Sequence, residues 1–77
     1  MANIAERSDQ AEHFAVRDPG IHSGEPVFAG TRVPVQILLD YLEGGDGLDV
    51  FLNQYPAVRR EQAEAAIRVM REALLSV

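Results

Sequence analysis

The chain has 77 residues, which suits a single domain, and it carries no cysteine and a formal net charge of −5. Disulfide bonds and thiolate metal sites are therefore excluded, and the negative charge argues against general adhesion to nucleic acid. No apolar run approaches the roughly 20 residues of a membrane-spanning helix, and no secretory signal opens the sequence, so we expect a cytoplasmic protein.

The first twelve residues are polar and charged, with Ile4 as the only large aliphatic side chain after the initiator. This composition predicts a flexible N-terminal segment over residues 1–12 and a single domain over residues 13–77. A domain of this size buries only about 60% of the surface that its unfolded chain exposes. Because disulfides are absent, association is the remaining way to bury more apolar area, and we expect a homodimer.

Residues 13–33 are rich in glycine, proline and β-forming side chains, which predicts a β-hairpin region. Phe14–Val16 is a candidate strand that stops at the turn signal Asp18-Pro19-Gly20. Further along, Val27-Phe28 and Thr31–Val33 flank Ala29-Gly30, which indicates a tight turn. Gly30 supplies a positive φ if the turn needs one, whereas Ala29 is not the residue that a type I′ turn prefers, so the turn type stays open.

The strand edges of this hairpin need a partner, because an isolated two-stranded hairpin is marginal in water. A second copy that pairs across a two-fold axis is the most economical solution. Strand addition by a different protein is one alternative, and packing of Phe14–Val16 from the same chain is another.

From Pro34 onward the sequence has a helical period. Pro34 suits the start of a first helix, and its apolar stripe ends before Gly44-Gly45. A second helix is predicted over Leu48–Gln54, ahead of Pro56, and a third from about Arg59 to Leu74. The predicted buried stripes of the first and third helices are Val35, Leu38, Leu39 and Leu42, and Ala63, Ala66, Ile67, Met70 and Leu74.

The predicted fold class is therefore mainly α: a short N-terminal β-hairpin over residues 13–33, then a three-helix, helix-turn-helix-like unit over residues 34–77. In such a unit the start of the third helix contacts base edges. Arg59, Arg60 and Gln62 are the candidate DNA-contacting residues, and Arg68 follows on the exposed side. The alternative is a solvated face in which Arg60, Glu64, Arg68 and Glu72 pair at i, i+4 spacing.

No arrangement of side chains in the sequence indicates catalysis. His13 and His22 lack a neighbouring nucleophile or carboxylate cluster, and Asp46 and Asp49 provide too few ligands for a hard cation. A chain this short also encloses a substrate pocket only with subunit help. We therefore expect a protein that is not an enzyme, with no cofactor, no metal and no small-molecule substrate.

The segment from Arg17 to Val35 resembles the opening of the bacterial family called domain of unknown function 433. Its most specific part is the run Gly30-Thr31-Arg32-Val33-Pro34-Val35, preceded by Gly24 and Pro26. The similarity continues through a helix that ends in Leu-x-x-Gly, a short helix that ends in Tyr55-Pro56, and an alanine-rich helix. It covers about His13 to Met70.

The resemblance implies a helix-turn-helix-like fold, often encoded beside a PIN-like nuclease toxin and interpreted as its antitoxin. Such a protein binds its toxin, through the N-terminal segment or an exposed apolar face, and in many cases its own promoter DNA. The family tends to have Ser or Thr at the caps of the second and third helices, where this sequence has Gly47 and Arg59. The alternative function is a protein-interaction module that binds a partner and never contacts DNA.

The motif residues have two interpretations. In the architectural one, Gly30 makes the turn, Thr31 caps it and Pro34 starts the helix; in the other, Arg32 and backbone N–H groups hold an anion. With the hairpin residues, the predicted motif and dimer set is Gly24, Pro26, Val27, Phe28, Gly30, Thr31, Arg32 and Pro34.

Overall fold

The computed structural model describes residues 13–77, so the predicted flexible segment over residues 1–12 lies outside the described residues. In chain order the elements are β1 (Ala15–Val16), a 3-10 turn (His22–Gly24), β2 (Val27–Phe28), α1 (Val35–Glu43), α2 (Leu48–Gln54) and α3 (Arg60–Leu75). The predicted fold class is confirmed: a short hairpin precedes three helices. Within residues 13–77, no helix combines the length and hydropathy needed to cross a membrane.

The strand β2 is paired within the chain on both sides. β1 runs antiparallel to it, with Ala15 opposite Phe28 and Val16 opposite Val27. On the other side Val27 forms a bridge with Pro34, and the Phe28 N–H donates to the Val33 carbonyl at 2.9 Å. Of the three partners considered for the hairpin edge, the same-chain segment Phe14–Val16 is the one observed. The second copy, which was the preferred solution, finds no free edge on β2.

The Phe28–Thr31 turn has the predicted location. The Thr31 N–H donates to the Phe28 carbonyl at 3.0 Å, and Gly30 has a φ of 78° whereas Ala29 has a negative φ. A positive φ at the third position alone is typical of a type II turn, which resolves the turn type left open by the sequence. The chain then returns along β2 and enters α1 directly.

The three helices begin and end close to their predicted bounds. Pro34 is the residue before α1, and Gly47 and Arg59 occupy the N-cap positions of α2 and α3. Gly45 has a φ of 92° just after α1, a conformation that a side chain would strain. The glycine and proline signals thus located the helix boundaries because both residues act through the local backbone.

The core lies between the hairpin and the helices. Phe28, Leu38 and Phe51 are fully buried, and they pack with Val58, Ala63 and Ala66. The Phe51 ring lies 5.9 Å from Phe28 and 5.6 Å from Tyr41 between centroids. Small alanines on α3 let that helix approach these aromatic rings closely, so the hairpin and all three helices share one core.

Two residues of the predicted buried stripes are exposed. Leu74 is 75% exposed and Leu42 is 36% exposed. The prediction of burial is wrong for both because no part of residues 13–77 packs over the C-terminal ends of α1 and α3. Helical periodicity correctly placed these leucines on the apolar faces, but it does not indicate where the neighbouring element stops.

Candidate interaction surfaces

The residues of the Gly-Thr-Arg motif build the joint between the hairpin and α1. The Thr31 hydroxyl donates to the Phe28 carbonyl at 2.8 Å and accepts from the Val33 N–H at 3.0 Å. Val27 and Phe28 are fully buried, and the Val35 N–H donates to the Pro26 carbonyl at 3.0 Å. These contacts match the architectural interpretation of Gly30, Thr31 and Pro34.

Arg32, the residue proposed to hold an anion, is exposed. Its carbonyl oxygen lies 3.0 Å from the His22 Nε2 atom, so the turn at His22–Gly24 is tied to the motif through the backbone. That turn is strained: His22 and Ser23 have φ values of 50° and 57°, and Gly24 follows with 87°. Three successive residues in the left-handed region are unusual, and only the last is a glycine. No local signal in the sequence indicates this strain, because neither His22 nor Ser23 is a glycine.

Gln62 has a different environment from the one predicted. Its side chain is buried, with 6% of the residue exposed. Its amide nitrogen donates to the Ala29 carbonyl at 2.9 Å and lies 3.5 Å from the Phe14 carbonyl. Its amide oxygen accepts from the Arg59 N–H at 2.9 Å. Both ends of the amide are engaged inside the domain, so this residue holds α3 to the hairpin and is not available to a DNA base.

A signal for this role was present in the sequence. Gln62 is the third residue after the N-cap Arg59, the position from which a Gln or Glu side chain bonds back to the cap N–H. It also precedes the buried Ala63 on the same helix. The long-range bonds to Ala29 and Phe14 have no such local signal.

Arg59, Arg60 and Arg68 are exposed, as predicted. Arg59 is the N-cap of α3, Arg60 is its first residue, and Arg68 lies further along the helix. Arg60 forms an ion pair with Asp49 of α2, and its guanidinium lies 3.9 Å from Glu64. The hydrogen bond to Asp49 is the main reason that the pKa of Arg60 lies above its ordinary value. Of the i, i+4 pairs expected on this face, the Arg60–Glu64 contact is therefore present.

Arg59 and Arg68 border a cleft of about 380 Å³ with His13 and Phe14. Glu61 and Glu64 line the same cleft, so its lining carries two arginines and two carboxylates. We call this surface the α3 entrance. In the described part of the chain, neither Arg59 nor Arg68 has a carboxylate within ion-pair distance.

An apolar groove runs between α1 and α3 on a separate part of the surface. It consists of two adjoining hollows of about 410 and 310 Å³, which share Gln36, Leu39 and Met70. The first is otherwise lined by Leu42, Ile67 and Leu74, with the charged residues Glu43 and Arg71; the second extends along Val69 to the hairpin. We call this surface the α1–α3 groove. The sequence stripes contained its leucines, but they were predicted to be buried.

The sequence and the fold are each similar to those of known proteins. The family model described as protein of unknown function (DUF433) matches residues 16–68. The fold is similar to the crystal structure of a DUF433 member protein from Anabaena variabilis ATCC 29413, with a TM-score of 0.69 and 22% sequence identity. That match covers 92% of this chain and 70% of the other. Comparison with curated proteins gives no significant match.

Proposed function

The chain belongs to the DUF433 family, and from that premise we propose that it is an antitoxin-like regulator that acts by binding a protein partner. A PIN-like nuclease toxin is the partner that the family resemblance favours. In this proposal the domain is not an enzyme and works inside the cytoplasm, where it occupies the surface of its partner. Binding to its own promoter DNA is the second candidate activity.

The observation that carries the proposal is the mixed charge of the α3 entrance. Arg60 is paired with Asp49, Gln62 is buried, and Glu61 and Glu64 stand beside the remaining arginines. A phosphate backbone favours an uninterrupted positive field, whereas a surface of mixed charge suits a protein partner that carries charges of both signs. The arrangement therefore supports a protein partner over DNA.

Co-purification with the PIN-like protein encoded beside this chain tests the proposal. We expect a stable complex in size-exclusion chromatography and a lower nuclease activity than that of the free toxin. Arg59→Glu and Arg68→Glu should weaken the complex, whereas Arg17→Glu, an exposed arginine that does not line this cleft, should leave it intact. A neighbour that elutes separately with unchanged nuclease activity would contradict the proposal.

A specific observation favours DNA contact as the second candidate. Arg59 and Arg68 line the α3 entrance without ion pairs in residues 13–77, which leaves both guanidinium groups able to bind phosphate or guanine. If Arg59 contacts a base, Arg59→Ala should weaken an operator complex by about 5- to 150-fold.

Fluorescence anisotropy with the chain's own upstream DNA, over a series of salt concentrations, measures this activity. Affinity should fall steeply as salt rises, because each neutralised phosphate releases counterions. Asp49→Asn should strengthen binding, since it removes a carboxylate and releases Arg60 from its ion pair. Absence of binding at low salt, for the parent chain and for Asp49→Asn alike, would remove DNA from the proposal.

A further inference from the structure

We propose that the α1–α3 groove is a homodimer interface, in which two copies pair across a two-fold axis and bury each other's exposed leucines. The paired α1 and α3 helices of the two copies would form a four-helix layer. This inference goes beyond the proposed function and does not depend on the identity of any toxin or operator. It also moves the expected homodimer contact away from the hairpin.

The first observation is the extent of exposed apolar surface along one face. Leu74 and Leu75 are 75% and 74% exposed, and Leu42 and Val69 are 36% and 38% exposed. Three of these four side chains line the two hollows that Leu39 and Met70 join into one groove. A continuous apolar surface of this kind on a small domain marks an interaction site, in contrast to single scattered side chains.

The second observation concerns the competing route to a dimer, which is strand pairing at β2. β2 has β1 on one side and the Val33–Pro34 segment on the other, so its backbone groups are already paired. Sequence reasoning assigned the dimer to the hairpin because an isolated hairpin is unstable. Because the same chain completes that hairpin, the α1–α3 groove is the surface that still lacks a partner.

The third observation concerns charge, and it identifies the occupant. The polar lining of the groove includes Glu43 at the end of α1 and Arg71 on the facing side of α3. Neither forms an ion pair among the described residues. In a two-fold interface, a contact from residue i to residue j is accompanied by the contact from j to i. Placing Glu43 against Arg71 of the partner therefore makes two ion pairs around an apolar centre, so the groove is complementary to itself.

The small size of the domain also favours a second copy as the occupant of the α1–α3 groove. The chain has no cysteine, and no group of three metal-ligating side chains occurs in residues 13–77, so neither kind of cross-link is available to this part of the domain. Small domains without such cross-links gain stability most readily by association. A second copy is present wherever the protein is made, whereas any other protein partner is not.

Analytical ultracentrifugation of the full chain tests the inference. We expect a dimer for the parent chain, and at least a tenfold weaker dimer for Leu42→Glu and for Leu74→Glu. Val50→Glu is the matched control, because Val50 is 45% exposed on α2 and does not line the groove. Circular dichroism verifies that each variant keeps its helices. A parent chain that is monomeric at high micromolar concentration, or a dimer that both leucine variants retain, would overturn the proposal.

A charge exchange separates contact between copies from contact within one copy. Glu43→Arg and Arg71→Glu should each weaken self-association, because each places like charges together. An equimolar mixture of the two variants should recover the dimer, since every pair across the heterodimer then has opposite charges. If mixing leaves both variants as monomers, Glu43 and Arg71 do not meet across the interface and the proposed geometry is refuted.

The outcomes also distinguish this inference from the proposed function. Folded monomeric groove variants that still bind the PIN-like protein would show that the dimer and the toxin surface are separate. A parent dimer without toxin binding would leave the groove proposal standing and reject the proposed function. If toxin binding fails only in the groove variants and the parent chain is monomeric, the groove belongs to the partner and the homodimer is rejected.

Discussion

At the residue scale, Gln62 joins the two halves of the domain. Its side-chain amide forms hydrogen bonds with the carbonyls of Ala29 and Phe14 in the hairpin region and with the backbone N–H of Arg59. A buried amide of this kind stabilises only while both of its ends have partners, because an unpaired buried polar group loses its hydration without compensation. The residue therefore fixes the position of α3 relative to the turn at Gly30.

We expect Gln62→Ala to lower the free energy of unfolding by about 1–3 kcal/mol, since it leaves the Ala29 carbonyl and the Arg59 N–H without their partner. Gln54→Ala is the matched control, because Gln54 is exposed at the end of α2. Urea denaturation followed by circular dichroism measures both. Equal stability of the two variants would show that the hydrogen bonds of the Gln62 side chain contribute nothing to the free energy of unfolding.

The strained turn at His22–Gly24 predicts a substitution that raises, rather than lowers, the free energy of unfolding. Ser23 has a φ of 57°, and a non-glycine residue in this region carries a conformational cost that glycine avoids. Ser23→Gly should raise the free energy of unfolding by about 1 kcal/mol, after allowing for the greater freedom of glycine in the unfolded chain.

Gly24→Ala should have the reverse effect at the next position. The φ of Gly24 is 87°, and open space surrounds the place where a Cβ would lie, so the change adds strain without a clash. Thermal unfolding of the two variants beside the parent chain provides the measurement. A lower melting temperature for Ser23→Gly would mean that the serine side chain stabilises the turn more than its backbone strain destabilises it.

At the element scale, an aromatic cluster joins α1 to α2. The Tyr41 ring lies 5.6 Å from Phe51 and 5.9 Å from Tyr55 between centroids, in edge-on arrangements. This packing compensates for the weak start of α2, where Gly47 offers no side-chain cap. The pKa of Tyr41 lies above its ordinary value of 10.0. Partial burial in the cluster is the largest cause, followed by the neighbouring Tyr55 and Asp46.

A dependence of stability on alkaline pH follows from that shift. The folded state holds the phenolic proton of Tyr41 more tightly than the unfolded chain does. Its contribution to stability is therefore complete below pH 10 and is lost as the pH rises through the raised pKa. Tyr41→Phe should lose stability less steeply than the parent chain above pH 10.

Chemical denaturation at a series of pH values measures this effect. Between pH 7 and 9 the difference in stability between Tyr41→Phe and the parent chain should stay constant, and this interval serves as the internal control. Parallel curves above pH 10 would show that Tyr41 titrates alike in the folded and unfolded states.

At the scale of the whole molecule, a single small core supports both the hairpin and the helices. Small domains are only marginally stable, so burial of the groove leucines in a dimer would be a large fraction of the total free energy. Linkage makes the stability of such a protein depend on its concentration, because the dimer forms only from folded chains.

We therefore expect the melting temperature of the parent chain to rise with protein concentration, as measured by differential scanning fluorimetry over a dilution series. Val50→Glu should keep this dependence and Leu74→Glu should lose it. A melting temperature that is independent of concentration in the parent chain would contradict a dimer coupled to folding.

The sequence alone was sufficient for the helices, for the turn at Gly30 and for the family. Proline and glycine limit φ at their own positions, and helical periodicity is a property of neighbouring residues, so both signals are local. For this reason the bounds of α2 were predicted correctly, whereas the N-caps at Gly47 and Arg59 were located by the family resemblance. Arg59, Arg60 and Arg68 were also located on exposed positions, although their function stays a prediction.

Only the tertiary structure decided which strand, helix or side chain each surface contacts. The pairing of β2 with β1, the burial of Gln62 and the ion pair between Asp49 and Arg60 join residues that are 11 to 48 positions apart. A periodic stripe indicates that one side of a helix is apolar, but whether another element covers it depends on the packing of the whole chain. Leu74 was therefore placed on the correct side of α3, and the structure left it exposed.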